Sequence, residues 1–403
     1  MKQTLFIGEY SSRNVGDGII KLAIEKMCLA HRLPAAFRDF HGGTPAAYPA
    51  HAQKPGAPAP RAAQDTMPHA PSFFRRAWMA LLRIDFINYA IALLFYFTRY
   101  RTITQSYQVE RYQQVVIGGG NLLMDNFLNF PLLILRIVQQ CERHQVPVKL
   151  FSVGAGKRHS WLARRIMARI IQSDAVHCIV CRDGNTYALV SAVGDEASRH
   201  KIISSFDSGL YLDRSDALTR RTEIIGLGVI APSVLRSITP EHPMADPHYA
   251  LQWWDELIGE LTRHMDAEHI ELLSNGSNVD DEFARSVWLA LSPKYPGLAV
   301  CTFIRSPTDL IERIGGYKAL AAYRMHAAVT AMALDVPVVG FEWDPKVLQM
   351  FTYCGKPDAC IPLADFKQHP ARKVISSMLD ETPARLEPIR RVLDRDFRHA
   401  TNA

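Results

Sequence analysis

Short apolar runs alternate with longer amphipathic segments along most of the chain, and polar or glycine-rich residues follow nearly every run. The short runs predict buried strands, whereas the longer segments with helical periodicity predict helices. The predicted strands are residues 4–8, 112–117, 148–153, 175–181, 201–206, 223–230, 270–274, 300–304, 320–323 and 336–341. Because strands and helices alternate, the pattern predicts an α/β protein with parallel, doubly wound sheets.

The polar segment 211–222 interrupts this alternation and predicts a linker between two domains. Residues 1–210 and 223–364 then form two Rossmann-like domains that face each other across a cleft, an architecture known as GT-B. Residues 365–403 predict terminal helices that could pack back on the N-terminal domain. We expect ligands at the carboxyl ends of the strands, where such sheets open a crevice.

The N-terminal domain carries an insertion at about 42–110 with two unlike parts. Residues 42–72 are rich in Pro, Ala, Gly and His and predict a loop. Residues 72–101 are apolar, aromatic and basic, but their uninterrupted apolar run, 89–97, is far shorter than the roughly 20 residues that span a bilayer. Both an interfacial helix at a membrane surface and an internal helix pair fit this segment, and the sequence leaves the two open.

Composition narrows the class of protein. The 403 residues are 48% hydrophobic and 21% charged, as in soluble globular proteins, and the net charge of +6 suits an anionic ligand or an acidic membrane surface. No nucleic-acid-binding motif occurs, so we expect no nucleic acid partner. The first 14 residues lack the layout of a signal peptide, and we expect a cytoplasmic protein.

Cysteine usage indicates neither a disulfide framework nor a metal site. The chain has seven cysteines, and Cys178 and Cys181 form a C-x-x-C inside a predicted strand. A spacing of three residues on a strand points the two thiols to opposite faces. No second pair lies at zinc-ribbon spacing, so the sequence predicts core thiols in a reducing compartment and no metal ligands.

Two polar side chains, Arg324 and His326, follow the predicted strand 320–323. A guanidinium is a permanent, bidentate cation suited to carboxylate or phosphate, and an imidazole exchanges a proton near neutral pH. The helix that begins there adds backbone N–H groups for the same anion. Alternatively, Arg324 is a buried residue paired with Glu342 or Asp344, and His326 is a core side chain. A second polar cluster, residues 342–346, follows the next predicted strand, and its presence favours a ligand-binding site.

Polar turns and glycine-rich loops follow the strands of the N-terminal domain as well. Asn14, Gly16 and Asp17 lie at the first strand-to-helix turn, where helix capping by Asn14 or Asp17 is the alternative to ligand binding. The loops 118–121 and 154–156 let a ligand approach the backbone closely and predict one shared crevice. The first turn lacks G-x-G-x-x-G, so no dinucleotide is implied.

Two more polar segments are assigned to structural roles. Arg182 follows the strand 175–181 and is expected to pair with a carboxylate from the glycine-rich loops, while Asp183 is the expected N-cap of the next helix. The acids at 280–282 lie at a helix start, where they complement the helix dipole.

These motifs, taken in order, resemble those of the polysaccharide pyruvyl transferase family. The residues that carry the resemblance are Asn14-Val15-Gly16-Asp17 with Ile20, Gly118-Gly119-Gly120-Asn121-Leu122 with Asp125, Val153-Gly154-Ala155-Gly156, Arg182-Asp183, Asp207, Asn275-Gly276 with Asp280 or Asp281, Arg324-Met325-His326, Val336-Pro337-Val338, Asp344 and Lys346. Met325 stands where the family commonly has Leu, and Thr186 where it usually has Ser.

The resemblance implies a GT-B-like enzyme that transfers pyruvate from phosphoenolpyruvate, as a ketal, onto two sugar hydroxyls and releases phosphate. Phosphoenolpyruvate is then a substrate, and no cofactor is implied. The implied catalytic residues are His326, Arg324 and Asp17. The implied substrate-binding residues are Asn14, Gly16, Gly119, Gly120, Asn121, Asp125, Gly154, Gly156, Arg182, Asn275 and Lys346.

The implied acceptor is a cell-surface polysaccharide or its polyprenyl-linked precursor, met in the cytoplasm or at the inner face of the cytoplasmic membrane. Segment 72–101 would then provide a peripheral membrane contact. Two other classes of function stay open. One is a glycosyltransferase that uses a nucleotide sugar, with Glu342 holding the ribose. The other is a catalytically silent scaffold in exopolysaccharide assembly, although a scaffold has no need for convergent polar groups.

Overall fold

The structure, a computed structural model, contains two parallel six-stranded sheets. The residues that it describes are 3–12, 15–43, 85–125, 128–156, 159–265, 269–301, 304–368, 371–379, 382 and 384–402. Asn14 and residues 44–72 of the predicted loop 42–72 lie outside this set, as does the part of segment 72–101 that precedes residue 85.

The N-terminal sheet is entirely parallel. Its strands are β1 Thr4–Gly8, β2 Ala35–Asp39, β3 Gln114–Gly118, β4 Val148–Val153, β5 Val176–Cys181 and β6 Ile202–Ser204. The order across the sheet is β2-β1-β3-β4-β5-β6. The chain therefore turns to one side after β1 and to the other side after β3, which opens a crevice at the carboxyl ends of these two strands.

Helices cover both faces of this sheet. They are α1 Gly16–Ala30, α2 Asp85–Phe97, α3 Arg99–Ser106, α4 Asn129–His144, α5 Trp161–Ile171 and α6 Gly184–Val193. Buried side chains of α1 join one hydrophobic core, and those of α2 to α6 join a second core on the opposite face. Cys178 lies in the first core and Cys181 in the second, so the predicted opposite orientation of the two thiols is confirmed.

The C-terminal sheet repeats this plan. Its strands are β7 Ile225–Gly228, β8 Ile270–Leu273, β9 Leu298–Cys301, β10 Ala319–Ala322, β11 Val338–Phe341 and β12 Cys360–Ile361, in the order β12-β11-β10-β7-β8-β9. Its helices are α7 Pro232–Ile238, α8 Pro247–His264, α9 Asn278–Leu291, α10 Pro307–Gly315, α11 Met325–Ala333 and α12 Pro345–Tyr353. The predicted α/β class with two parallel, doubly wound sheets is confirmed.

The two terminal helices pack on different domains. Helix α13, Ala371–Met378, packs against α8 and β11 of the C-terminal domain, whereas α14, Leu386–Thr401, packs on the N-terminal sheet. The ring of Phe397 in α14 lies 6.3 Å from that of Phe6 and 5.5 Å from that of Phe151. Lys149 donates a hydrogen bond to the Asn402 side chain at 3.0 Å. The end of the chain thus closes one face of the N-terminal domain.

Some predicted boundaries shift for local reasons. The strand expected from residue 336 begins at Val338, because Pro337 has no N–H for the ladder. The helix before it ends at Ala333, and Asp335 takes a left-handed conformation with φ of 56°. The described part of segment 72–101 forms the end-to-end helices α2 and α3. Within the described residues, no helix is both long and apolar enough to cross a membrane.

Candidate active site

Arg182 is the centre of a hydrogen-bonded cluster at the carboxyl end of β5. Its Nη1 donates to Oδ2 of Asp207 at 2.9 Å, and its Nη2 donates to Oδ1 of Asn121 at 2.7 Å. Asp207 follows β6, so the expectation of a carboxylate from a glycine-rich loop was wrong. That loop contributes the Asn121 amide oxygen instead. Asp183 caps α6 as expected, accepting a hydrogen bond from the Thr186 N–H at 2.7 Å.

His326 joins this cluster from the other domain. It is the second residue of α11, and its Nε2 lies 3.4 Å from Asp207 Oδ2 and 3.4 Å from Arg182 Nη1. Its Nδ1 faces the start of α1, where a Cβ on Gly16 would come within 2.7 Å. His326 therefore lies buried between both domains, and residue 16 has to be glycine for the domains to approach this closely.

The two carboxylates beside His326 have opposite electrostatic environments. Burial by itself would raise the pKa of Asp207, but the charges of Arg182 and His326 outweigh burial and hold that pKa well below its usual range. Burial raises the pKa of Asp17, and Asp207 adds to this, while His326, Arg182 and Lys346 oppose it without reversing it. Asp207 is thus a fixed anion, whereas Asp17 is the carboxyl that can take up and release a proton.

Asp17 lies in the first turn of α1, against a glycine-rich loop. Gly120 has φ of 81°, and a Cβ there would lie 3.1 Å from Asp17 Oδ1. Asp17 does not cap this helix, which was the alternative to ligand binding, because the N-cap residue is Val15. Asn14, the other predicted cap, lies outside the described residues. Asp17 is therefore available for chemistry in the crevice.

Arg324 forms a second cluster. Its Nε and Nη2 both donate to Oδ2 of Asp280, at 2.8 and 2.6 Å, and Oδ1 of Asp280 accepts from the Ala231 N–H at 2.8 Å. Glu342 and Asp344, the partners named in the structural alternative for Arg324, accept hydrogen bonds from the backbone of residues 363 and 346. Asp280 is fully buried, so it anchors Arg324 and does more than complement the helix dipole.

The two glycine-rich loops are hydrogen-bonded to each other. The Gly154 N–H donates to the Gly120 carbonyl at 2.9 Å, and the Gly156 N–H donates to the Leu123 carbonyl at 3.1 Å. A Cβ on Gly154 would lie 2.6 Å from both Arg182 Nε and Asn121 Oδ1, so glycine lets the loop pass over the Arg182 cluster. The loops therefore do share one crevice edge.

The remaining predicted residues lie around these clusters in different roles. Gly119 takes a left-handed conformation with φ of 88° against α1. Asp125 Oδ2 accepts from the Ser160 N–H at 2.6 Å and thereby fixes the turn before α5. The Asn275 carbonyl accepts from the Val15 N–H at 3.0 Å and joins the two domains. Lys346 Nζ lies 5.3 Å from the centre of the Trp343 ring.

A pocket between the domains has Arg182 and Lys346 in its wall. The residues that line it are Arg182, Asp183, Phe206, Asp207, Leu210, Met325, Lys346, Gln349, Met350 and Tyr353. It therefore offers two cations, one from each domain, beside an apolar wall. Among the described residues, no group of three or more His, Cys, Asp or Glu side chains is arranged to hold a metal ion.

Sequence reasoning missed two carboxyl groups of this crevice. Asp207 was noticed only as part of the resemblance, and it proves to bridge Arg182 and His326. Glu9 directly follows β1, and burial together with Asp17 and Asp39 raises its pKa to about 7. Both residues follow strands, and this position is the sequence feature that could have identified them as site residues. Their pairing depends on contacts between distant parts of the chain.

Fold and site together define a two-domain α/β protein of the GT-B class with a polar interdomain crevice. A family model described as polysaccharide pyruvyl transferase matches residues 60–345, well over half of the chain. The chain belongs to the polysaccharide pyruvyl transferase family, so the resemblance found in the sequence is confirmed. The match includes the site residues from Gly119 to Arg324 and His326 but neither Asp17 nor Lys346. Among curated proteins, none matches the chain significantly.

Solved structures show the same architecture at low sequence identity. UDP-GlcNAc 2-epimerase from Methanocaldococcus jannaschii is 11% identical, with all of both chains covered and a TM-score of 0.52. The protein described as "Trehalose-6-phosphate from E. coli bound with UDP-2-fluoro glucose" is 8% identical over 99% of this chain and 97% of its own, with a TM-score of 0.54. These likenesses establish the fold alone.

Proposed function

We propose that this protein transfers pyruvate from phosphoenolpyruvate onto two hydroxyls of a sugar, forming a ketal and releasing phosphate. The observation that carries the proposal is the meeting of Arg182, Asp207 and His326 from both domains beside Asp17, in a chain of this family. A site with fixed cations and a carboxyl that can exchange a proton suits an anionic donor and a reaction that moves protons.

The donor carries a carboxylate and a phosphate, which need separate positive partners. Arg324 is oriented by Asp280 through two of its nitrogens. The first turn of α11 adds backbone N–H groups at the positive end of the helix dipole. Lys346 lies in the wall of the interdomain pocket with Arg182. We assign the donor to the space between these groups, with its phosphate toward His326.

The chemistry requires two protons to move, and the site has groups for both. Protonated Asp17 gives its proton to the methylene carbon of the donor, and the resulting carboxylate takes up the proton of the sugar hydroxyl that attacks the neighbouring carbon. The C–O bond to phosphate then breaks, the second hydroxyl attacks, and its proton leaves with phosphate as the ketal forms. His326 serves as the acid toward the phosphate side, and Asp17 as the base toward the sugar, because burial keeps the Asp17 pKa raised.

The acceptor side is assigned to the crevice of the N-terminal domain. The glycine-rich loops lie against the candidate site, with Gly120 beside Asp17 and Gly154 beside Arg182. Asn121 and Asp125 lie in the same loop, the first bonded to Arg182 and the second to the turn before α5. We propose a cell-surface glycan or its polyprenyl-linked precursor as the acceptor, in the cytoplasm, with no cofactor besides the donor substrate.

Ligand-dependent melting tests the donor assignment. A ligand at about 100 times its dissociation constant stabilises a protein by about 2.7 kcal/mol. Phosphoenolpyruvate should raise the melting temperature of the wild-type protein and raise it less in Lys346→Met, while the control Lys294→Met should behave as wild type. Stabilisation by UDP but not by phosphoenolpyruvate would contradict the proposal and favour a nucleotide-sugar donor.

A further inference from the structure

Helix α2 presents an unbroken apolar face to solvent. Ala90, Leu93, Leu94 and Phe97 share one side of the helix, since positions three, four and seven apart coincide on it. All four are exposed, with 60% of Leu94 and 67% of Phe97 accessible. Contiguous exposed apolar side chains often mark a surface that binds another molecule or a membrane.

The opposite side of α2 is fixed to the domain. Ala92 is buried in the core beneath it. The Tyr96 hydroxyl donates to Gln139 Oε1 of α4 at 2.6 Å, and the Arg136 guanidinium lies 5.3 Å from the centre of the Tyr96 ring. The apolar face therefore has a set orientation and points away from the N-terminal domain.

Arginines border this face, and a second aromatic and basic group lies nearby. Arg99 and Arg101 are exposed in α3, directly after Phe97. In α5, Trp161 is 70% exposed and the Arg165 guanidinium lies 5.2 Å from the centre of its ring. Neither α3 nor α5 contains an Asp or Glu residue. Both groups combine apolar side chains with positive charge.

The first turns of α3 and α5 lie at the edge of the domain that holds the candidate site. The Tyr100 hydroxyl donates to Oδ1 of Asn129, the first residue of α4, at 3.0 Å. Trp161 is the first residue of α5. These helices begin after the carboxyl ends of β3 and β4, whose loops carry Asn121 and Gly154. An object bound across both groups would therefore lie beside the entrance proposed for the acceptor.

We infer that these residues form a docking surface for an anionic membrane, here called the rim surface and defined by Leu94, Phe97, Arg99, Arg101, Trp161 and Arg165. Apolar and aromatic side chains enter the boundary of head groups and acyl chains, while arginines meet the lipid phosphates. The inference deepens the proposed function, since a polyprenyl-linked acceptor would lie in that membrane. Membrane binding itself requires no assumption about the reaction.

Vesicle co-sedimentation without any substrate tests the rim surface. The full chain should bind vesicles of phosphatidylcholine with phosphatidylglycerol more tightly than vesicles of phosphatidylcholine alone, and less tightly at high salt. Leu94→Ser/Phe97→Ser and Arg99→Glu/Arg101→Glu should each lower the partition coefficient about tenfold. The matched controls Leu289→Ser and Arg199→Glu, at exposed positions away from the rim, should bind as wild type does.

Other occupants of the face give distinct results. Absence of wild-type binding, or equal binding by the rim variants, would overturn the inference. A dimer that Leu94→Ser/Phe97→Ser dissociates, without vesicle binding, would assign the face to a second copy. A clear loss of thermal stability in that variant, also without binding, would assign it to another part of this chain. Retained phosphate release on a soluble glycoside by a variant that no longer binds vesicles would separate membrane docking from the reaction.

Discussion

At the scale of single residues, the site is built from groups whose charges are set by their neighbours. Asp207 is buried beside Arg182 and His326, which keep its pKa low, whereas burial raises the pKa of Asp17 on the other side of His326. Asp207 therefore stays charged and holds Arg182 and His326 in place, whereas Asp17 can exchange a proton. This division of roles is typical of acid–base sites.

Gly16 should control the position of His326. In Gly16→Ala, the added Cβ would approach His326 Nδ1 within 2.7 Å and force the ring or the domains to move. We expect kcat for phosphate release to fall about 100-fold, because displacement by about 1 Å can have that effect. Gly156→Ala, whose Cβ would meet Met124 at an ordinary 3.5 Å, is the control for thermal stability. Wild-type kinetics in Gly16→Ala would contradict this role.

Glu9 should make folding stability depend on pH. Its pKa is raised from an ordinary 4.5 to about 7 in the folded protein, first by burial and then by Asp17 and Asp39. The folded state therefore binds the proton more tightly, and stability should fall as pH rises from about 4.5 to 7. Glu9→Gln should be about 2 kcal/mol more stable than wild type at pH 8 and equal to it at pH 4. Denaturant unfolding at both pH values measures this, and a constant difference would contradict it.

At the scale of secondary structure, the positions of polar residues after strands were the most informative feature of the sequence. Arg182, Asn121 and Gly154 each follow a strand, and the structure brings all three into one cluster. Parallel strands end at the same edge of a sheet, so this convergence follows from element order alone. Element order does not predict which residues of the cluster hydrogen-bond to each other.

The wrong partners show where local reasoning ends. The structural alternative for Arg324 named the nearby Glu342 or Asp344 as its partner, but Arg324 binds Asp280, which is 44 positions away along the chain. Likewise Arg182 binds Asp207, which follows the neighbouring edge strand β6 and is 25 positions away along the chain. Strand order and the relative placement of the two domains decide these contacts, and neither is encoded in hydrophobic periodicity.

Helix α14 should be required for the N-terminal domain to fold. Phe397 is completely buried, with its ring beside those of Phe6, Phe151 and His31. Phe397→Ala should lower the free energy of unfolding by about 3–5 kcal/mol, and Phe397→Leu by less, because less of the cavity is left empty. Urea denaturation measures both. A change below about 1 kcal/mol in Phe397→Ala would mean that α14 is only loosely attached.

At the scale of the whole molecule, the candidate site lies where the two domains touch. The Val15 N–H donates to the Asn275 carbonyl at 3.0 Å, and Cβ atoms on Gly18 and Gly209 would meet Pro307 and Val329 of the other domain at 2.2 and 2.8 Å. The site is complete only when the domains are in contact, since His326 comes from one domain and Arg182 from the other.

The same placement orients the protein toward its proposed acceptor. The first turns of α3 and α5, which carry Arg99, Arg101 and Trp161 of the rim surface, lie at the carboxyl edge of the N-terminal sheet with the glycine-rich loops. A membrane-bound acceptor should therefore be used more efficiently than a soluble one. We expect Leu94→Ser/Phe97→Ser to raise KM about tenfold for a polyprenyl-linked acceptor in vesicles and to leave KM for a soluble glycoside unchanged. Equal changes for both acceptors would contradict this orientation.

The central claim is pyruvyl transfer at the Arg182–Asp207–His326 cluster, and phosphate release from phosphoenolpyruvate tests it most directly. The purified protein is assayed with a panel of synthetic and polyprenyl-linked glycosides, beside His326→Ala and the control His264→Ala, an exposed histidine in α8. The account predicts acceptor-dependent phosphate release that falls at least about 100-fold in His326→Ala and is unchanged in His264→Ala. Acceptor-dependent release that persists in His326→Ala would contradict the account.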